Sequence, residues 1–141
     1  MARMVEVLPD EVIEQFKTIY DNYDQIFGRM TTAGARVVYA NIQSNIPDAI
    51  KSSQMMRCLR LTKVYKTPTD DGINTKVAFY GYFTNHNGKR QPAPLVANVF
   101  EYGRSGRPFP KQPFLRRSFT PSTIKRAMLD EQKAASGGLL E

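Results

Sequence analysis

The residue types that most often carry out chemistry are scarce in this chain of 141 residues. It holds one cysteine, Cys58, and one histidine, His86. A structural zinc site draws on several Cys or His ligands, and a disulfide needs two cysteines, so neither is expected within one chain. His86 lies between two asparagines, which favours a solvated loop histidine over a catalytic base. Cys58 begins a predicted strand, where a free thiol usually serves as a small hydrophobic side chain.

The remaining candidate motifs favour structure over catalysis. Asp70 and Asp71 are paired carboxylates, but they precede Gly72, and Asp-Gly is a typical turn sequence. The glycines at positions 103 and 106 lack the Lys-Ser/Thr and the strand–loop–helix context of a phosphate-binding loop. We therefore expect no enzyme activity, no catalytic residue, no cofactor and no metal site.

Charge is distributed unevenly along the chain. Residues 1–54 carry five basic and seven acidic residues, whereas residues 55–141 carry fifteen and six, which gives net charges of −2 and +9. Residues 103–126 contain seven basic residues and no acidic residue. Such a surface attracts polyanions and acidic protein surfaces, or simply keeps a solvated face soluble. The opposite charges of the two halves also suit head-to-tail contacts between copies, which close into rings when the rotation permits.

The N-terminal third predicts amphipathic helices. Apolar residues recur at three- and four-residue steps from Val12 to Phe27, after an acidic first turn. Gly28 is expected to end or bend this helix, with a second one capped by Thr31 or Thr32 and stopped before Pro47; a single long bent helix is the alternative. The inward positions predicted for the second helix are Ala35, Val38, Ala40 and Ile42.

The middle of the chain changes to a two-residue period, which predicts an antiparallel hairpin. Its strands are residues 58–66 and 76–84, joined by the Asp-Gly turn, with Gly81 marking a bulge or a close backbone approach. One face is expected to pack on the helices. The other face, with Val64, Tyr80 and Tyr82, is expected to remain free for another chain. A polar loop over residues 85–94 resembles a hairpin tip and carries Lys89 and Arg90.

The C-terminal third predicts two helices separated by a proline-rich arm. A short helix ends at Tyr102 with Gly103 as its cap, and residues 104–113 are too rich in proline and glycine for a helix or a central strand. A last helix is predicted from Pro121 to about Ala135. The fold class is therefore α+β: N-terminal amphipathic helices packed on a small antiparallel β-hairpin, a short helix, the arm and a C-terminal helix. We expect one domain over residues 1–135 and a flexible tail over 136–141.

Aromatic and basic residues are interleaved near the C-terminus, which is typical of nucleic-acid binding. Phe109, Phe114 and Phe119 lie among four basic residues. A small basic nucleic-acid-binding protein is therefore one functional hypothesis, and a basic ribonuclease-like toxin is another. No apolar run approaches the roughly 20 residues that span a bilayer, so no membrane partner is expected.

The string VFEYGRSGRPFPKQPFLRRSF, at residues 99–119, resembles the signature of a tailed-bacteriophage family. The family comprises the small head–tail joining, neck or tail-completion proteins of long-tailed phages and prophages. Its pattern is an aromatic–Glu–aromatic–Gly element, a short Gly/Pro-containing loop, and Pro-Phe-Leu-Arg opening a C-terminal helix. The residues that carry the pattern here are Glu101, Tyr102, Gly103, Pro113, Phe114, Leu115 and Arg116. The chain departs from the family before its first strand, where the Thr-Gly of the family pattern is missing.

The resemblance implies a structural virion subunit in a ring, commonly hexameric, at the head–tail junction. Its expected partners are identical copies and the neighbouring connector, head-closure and tail-tube proteins, with transient DNA contact in the lumen. Its expected location is the tail or neck of the virion, and the host cytoplasm before assembly. Glu101 is expected to pin the loop through Arg104, Arg116 or Arg117, against the alternative of a surface acid. The expected contacts with partners are Arg104, Arg107, Lys111, Arg117, Tyr80, Tyr82, Lys89 and Arg90.

Overall fold

The computed structural model describes residues 9–70, 72–104, 106 and 110–137, and within them it is a mixed α+β structure. The helices are α1 (Asp10–Asp21), α2 (Tyr23–Asn45), α3 (Asp48–Lys51), α4 (Ala93–Tyr102), α5 (Phe114–Ser118) and α6 (Pro121–Ala135). A 3₁₀ helix at Gln54–Cys58 precedes the first strand. The strands are β1 (Leu59–Leu61), β2 (Tyr65–Lys66), β3 (Ile73–Asn74), β4 (Val77–Phe79), β5 (Tyr82–Thr84) and β6 (Arg90–Pro92). The predicted α+β class is confirmed.

The first helical break lies at Asn22, so the prediction that placed it at Gly28 is wrong. Gly28 is buried inside α2, and the hydroxyls of Thr31 and Thr32 donate to its carbonyl oxygen at 3.0 and 2.8 Å instead of capping a new helix. A glycine inside a helix costs about 1 kcal/mol relative to alanine, which the packing of a 23-residue helix easily exceeds. Of the predicted inward positions, Ala35 and Ile42 are buried and Val38 is half-buried, but Ala40 is exposed.

The predicted hairpin is divided into three short antiparallel pairs. Strand β1 pairs with β4, with Leu59 opposite Phe79, and β2 pairs with β3 near the Asp-Gly turn. Gly81 has a φ of 79°, a conformation that L side chains rarely adopt, and it separates β4 from β5. Beyond it, β5 pairs with β6, with Phe83 opposite Gln91. The predicted loop over residues 85–94 is only partly correct, because residues 90–92 form β6 and residues 93–94 begin α4.

The core lies where α2, the 3₁₀ helix, the strands and α4 meet. Its buried residues are Ile42, Ile46, Ile50, Met55, Cys58, Leu59, Phe79, Phe83, Ala93, Ala97 and Phe114. Helix α6 packs along α2 from outside this core, and Arg29 Nη2 lies 2.7 Å from Glu131 Oε1 across the pair. Because α5 delivers Phe114 into the same cluster, the segment after the proline-rich arm is anchored on the core.

The C-terminal helix occupies its predicted bounds, Pro121–Ala135, and α4 ends at Tyr102 as predicted. Ser136 is 7% exposed, so the first residue of the predicted tail packs against the fold, and residues 138–141 lie outside the described residues. Within the described ranges, none of the helices combines the length and the apolar character needed to cross a bilayer.

Candidate functional site

The two halves of the 99–119 pattern meet at one buried carboxylate, that of Glu101. The side chain is 1% exposed in the last turn of α4. Its Oε2 accepts the backbone N–H of Leu115 at 2.9 Å, and its Oε1 accepts the N–H of Arg116 at 3.1 Å. The Arg116 Nε also donates to Oε1, at 3.2 Å. We call this set of contacts the Glu101 latch.

The Glu101 carboxylate caps the start of α5, although Glu101 itself lies in α4. The first N–H groups of α5 have no partner within the helix, and Pro113 provides no side-chain cap. A carboxylate is the preferred acceptor at such a helix start, and a buried carboxylate in turn needs donors to compensate for its lost hydration. Glu101 and the start of α5 therefore satisfy each other. The expectation that Glu101 pins the loop is correct for Arg116, whereas the alternative of a surface acid is wrong.

Gly103 directs the chain out of α4 beside the latch. Its φ of 81° and ψ of −174° lie in a region that is almost exclusive to glycine, and its N–H donates to the Val99 carbonyl at 2.8 Å. The chain returns where Gln112 N–H donates to the Phe100 carbonyl, also at 2.8 Å. Both ends of the arm over residues 104–113 are thus fixed at the end of α4.

Phe114 and Leu115 hold α5 against the core. Phe114 is 2% exposed, and its ring meets that of Phe79 edge-on with centroids 6.1 Å apart. Leu115 is half-buried against the same cluster, and Pro113 is half-buried before it. This pair anchors α5 on the core.

Three polar residues that the sequence analysis missed tie α5 to α2. Ser118 is fully buried, and its hydroxyl donates to the Phe114 carbonyl at 2.6 Å. Asn41 Nδ2 donates to the Ser118 carbonyl at 3.0 Å, and Asn45 Nδ2 donates to the Ser118 hydroxyl at 3.3 Å. Asparagines at these helix positions are typical of a solvated face, so the sequence carried no signal for them.

Arg116 has a second contact, with Tyr102. Its guanidinium carbon lies 5.4 Å from the centre of the Tyr102 ring, within the range of a cation–π interaction. Both side chains are largely exposed, at 63% for Arg116 and 60% for the Tyr102 residue. The outer surface of the latch is therefore an aromatic ring and a cation available to a partner.

The other predicted contact residues fall into two groups. Arg104, Lys111 and Arg117 are exposed on the segments that the latch joins, whereas Lys89 and Arg90 are exposed on the β5–β6 hairpin. The Arg90 guanidinium carbon lies 4.6 Å from the centre of the Tyr82 ring, which is 60% exposed. The prediction for Arg107 falls outside the described residues.

The predicted free strand face is only partly correct. Tyr82 and Val64 are exposed, but Tyr80 is half-buried and lies between β4 and β5, with Lys76 Nζ 5.8 Å from its ring centre. The turn at Gly81 ends the alternation on which the prediction depended. Tyr80 and Tyr82 consequently do not continue one face of one strand.

The residues considered first for chemistry have structural surroundings. Cys58 is buried with its Sγ 3.6 Å from the Tyr82 carbonyl oxygen, and His86 is exposed in the β5–β6 turn. Asp70 Oδ1 accepts the Gly72 N–H at 2.9 Å, which is the predicted turn role, while Asp71 is not among the described residues. Across the described ranges, no three His, Cys, Asp or Glu residues come together to hold a metal ion.

Comparison of the chain with protein-family models, with curated proteins and with solved structures found no match. The site consists of a buried latch at the point where both ends of a basic arm are fixed, with an exposed cation–aromatic pair on its outer side.

Proposed function

We propose that this chain is a structural subunit of the head–tail junction of a tailed bacteriophage, and that it assembles as a ring. One observation carries the proposal. The Glu101 carboxylate joins the aromatic–Glu–aromatic–Gly half of the pattern to the Pro-Phe-Leu-Arg half. The residues that resemble the phage family are therefore also the residues that form one structural unit.

The function of the latch in this proposal is to present the arm. A loop fixed at both ends loses less conformational freedom on binding than a free one, so more of its contact energy is available for association. Arg104 and Lys111 are exposed at the two ends of the arm, and Arg117 is exposed on α5 beyond it. These cations contact acidic surfaces of neighbouring copies or of the connector and tail-tube proteins.

The test is the joining of heads to tails in the phage or prophage that encodes the chain. The variant carries Arg104→Glu, Lys111→Glu and Arg117→Glu, and leaves the latch intact. Its matched control makes the same charge change at three other exposed positions, Arg57→Glu, Arg60→Glu and Lys63→Glu.

We expect the arm variant to fold, by circular dichroism, and to leave unjoined heads and tails in electron micrographs of lysates. The control variant should join them at the wild-type frequency. Normal joining by the arm variant, or equal failure of the control, would contradict the assignment of the contacts.

A free nucleic-acid-binding protein is the second candidate, and the cation–aromatic pairs favour it. Arg90 with Tyr82 and Arg116 with Tyr102 each place an exposed ring beside a cation, the combination that stacks bases and neutralises phosphate. This function predicts binding of labelled single-stranded or duplex DNA that weakens steeply with salt. It also predicts that Tyr82→Ala weakens binding to single strands, whereas a junction subunit gives weak binding that Tyr82→Ala leaves unchanged.

A further inference from the structure

The tip of the β5–β6 hairpin contains an asparagine followed by a glycine. Asn87 precedes Gly88, both residues are exposed, and none of the other asparagines of the sequence is followed by glycine. In this dipeptide the backbone nitrogen of the glycine can attack the side-chain carbonyl carbon of the asparagine, because glycine has no side chain to obstruct the approach. The surroundings add no obstruction, since a Cβ placed on Gly88 would meet no atom within 4 Å.

The hydrogen bonds of the tip are made by Asn85 and leave the side chain of Asn87 unrestrained. Asn85 N–H donates to the Lys89 carbonyl at 2.8 Å. Asn85 Oδ1 accepts the N–H groups of Asn87 and Lys89 at 3.0 and 2.9 Å. The side-chain amide of Asn87 forms no hydrogen bond with any described residue. It can therefore turn toward the backbone nitrogen of Gly88 without losing a contact.

One hydrogen bond restrains the attacking nitrogen. Gly88 N–H donates to the Asn85 carbonyl oxygen at 3.0 Å. This bond lies beyond the last residue pair of the two strands, Thr84 with Arg90, so it can open without disturbing the core. Because a single hydrogen bond contributes little net stability, the need to open it should slow the attack by about tenfold at most.

The charge around the tip favours the reaction. Residues 72–100 contain no Asp or Glu, and they include three basic residues, Lys76, Lys89 and Arg90. Lys89 directly follows Gly88 and is exposed. Attack on the Asn87 side chain places negative charge on its carbonyl oxygen, and nearby cations with no neighbouring acid lower the energy of that charge.

We propose that Asn87 is a site of spontaneous deamidation in the folded chain. The Gly88 nitrogen forms a bond to Asn87 Cγ, and Nδ2 leaves as ammonia after taking up, through solvent, the proton that the nitrogen loses. The product is a cyclic succinimide, which water then opens. Breaking the bond between the nitrogen and Cγ gives aspartate. Breaking the bond between the nitrogen and the backbone carbonyl carbon gives isoaspartate, whose main chain runs through Cβ and Cγ.

The modification changes both the charge and the backbone of the tip. Either product places a carboxylate beside Lys89 and Arg90. Isoaspartate also lengthens the main chain between the two N–H groups that Asn85 Oδ1 accepts, so the present tip geometry is lost. Weaker contacts of Lys89 and Arg90 with acidic partners would follow. That consequence rests on the proposed function, whereas the deamidation itself does not.

The experiment is peptide mapping by mass spectrometry of the full chain during a long incubation in mildly alkaline buffer. A parallel sample is incubated in guanidinium chloride. We expect Asn87 to gain the mass difference between a carboxyl group and an amide, at a native rate within about tenfold of the denatured rate. Asn22 and Asn98 are exposed and are followed by tyrosine and valine, so they are internal controls that should keep their amides.

A glycine variant tests the route. Gly88→Ala should slow deamidation of Asn87 at least about tenfold, equivalent to about 1.4 kcal/mol of added barrier. The comparison is made in guanidinium chloride, where the strain of alanine at a φ of 79° has no effect. Gly81→Ala is the matched control, because Gly81 is exposed, has the same φ and follows a tyrosine. It should leave the rate at Asn87 unchanged.

Three results would overturn the proposal. They are a native Asn87 that keeps its amide as completely as Asn98, a Gly88→Ala variant that deamidates like wild type, and a native rate about a hundredfold or more below the denatured rate, which exceeds the effect of one hydrogen bond. All of these measurements use the isolated chain. Failure of the head–tail joining experiment would therefore refute the junction function and leave this site standing.

Discussion

Helix α1 is longer than helix α5 but is less buried. Helix α1 has 12 residues and a regular apolar face, yet none of its residues is buried. Helix α5 has five residues, and it places Phe114 and Ser118 in the interior. Periodicity thus identifies which side of a helix is apolar, whereas burial depends on which other parts of the chain pack against that side.

The largest expected difference between the two helices is at their phenylalanines. Phe114→Ala removes a ring from the core and should lower the free energy of unfolding by about 3–5 kcal/mol. Phe16→Ala, in α1, should change it by less than about 0.5 kcal/mol at concentrations where the chain is monomeric. Urea denaturation of both variants checks the comparison, and similar losses would show that α1 is packed against the fold.

The next difference is at two glutamates. Glu101→Gln keeps one acceptor oxygen but loses the charge-assisted bonds of the latch, so it should cost about 2 kcal/mol of unfolding free energy. Glu14→Gln on the exposed side of α1 should leave thermal denaturation nearly unchanged. Equal melting temperatures for the two variants would refute the latch as a stabilising contact.

The backbone beside the latch provides a third comparison. Gly103→Ala forces a side chain into a glycine-only conformation and should cost about 1–3 kcal/mol. Gly28→Ala places a methyl group 3.4 Å from Val64 Cγ1 inside α2, and helix propensity offsets the tight contact, so a change of at most about 1 kcal/mol is expected. Chemical denaturation that ranks Gly28→Ala as the more damaging change would contradict the geometry at Gly103.

The smallest effect is expected at a serine. Ser118→Ala leaves the Asn45 amide without its hydroxyl acceptor and should cost about 1 kcal/mol. Ser44→Ala, at an exposed α2 position where the hydroxyl bonds only to the Ala40 carbonyl, is the matched control and should be close to neutral. Equal denaturation midpoints for Ser118→Ala and Ser44→Ala would contradict a stabilising role for the Ser118 contacts.

The sequence predicted the features that depend on local chemistry. The α4 end at Gly103, the C-terminal helix from Pro121 and the turn within the predicted 85–94 loop all follow from cap or turn signals. The break between α1 and α2 was misplaced because Gly28 is a weaker signal than the packing that carries α2 through it. The division of the hairpin at Gly81 and the asparagine contacts to Ser118 depend on tertiary partners, which spacing along the chain does not encode.

For the candidate site, the residue types were predictable and the geometry was not. Glu101 was expected to interact with Arg104, Arg116 or Arg117, and the structure pairs it with Arg116. The two backbone amides that satisfy most of the Glu101 carboxylate were not foreseen, because every residue except proline carries an N–H and the sequence does not say which are unpaired. Arg116 consequently contributes both to stability and to the exposed surface. Substitutions at Arg104, Lys111 and Arg117 therefore test partner contacts without removing a contact of the latch.

The proposed junction function requires that virions need this chain at the joint between head and tail. The measurement is electron microscopy of particles produced after the gene is deleted from the phage or prophage that encodes it, with and without the wild-type chain supplied in trans. We predict that deletion leaves DNA-filled heads and complete tails unjoined, and that the supplied chain restores tailed particles in which mass spectrometry detects it. Normally tailed, infectious particles that lack the chain would contradict the account.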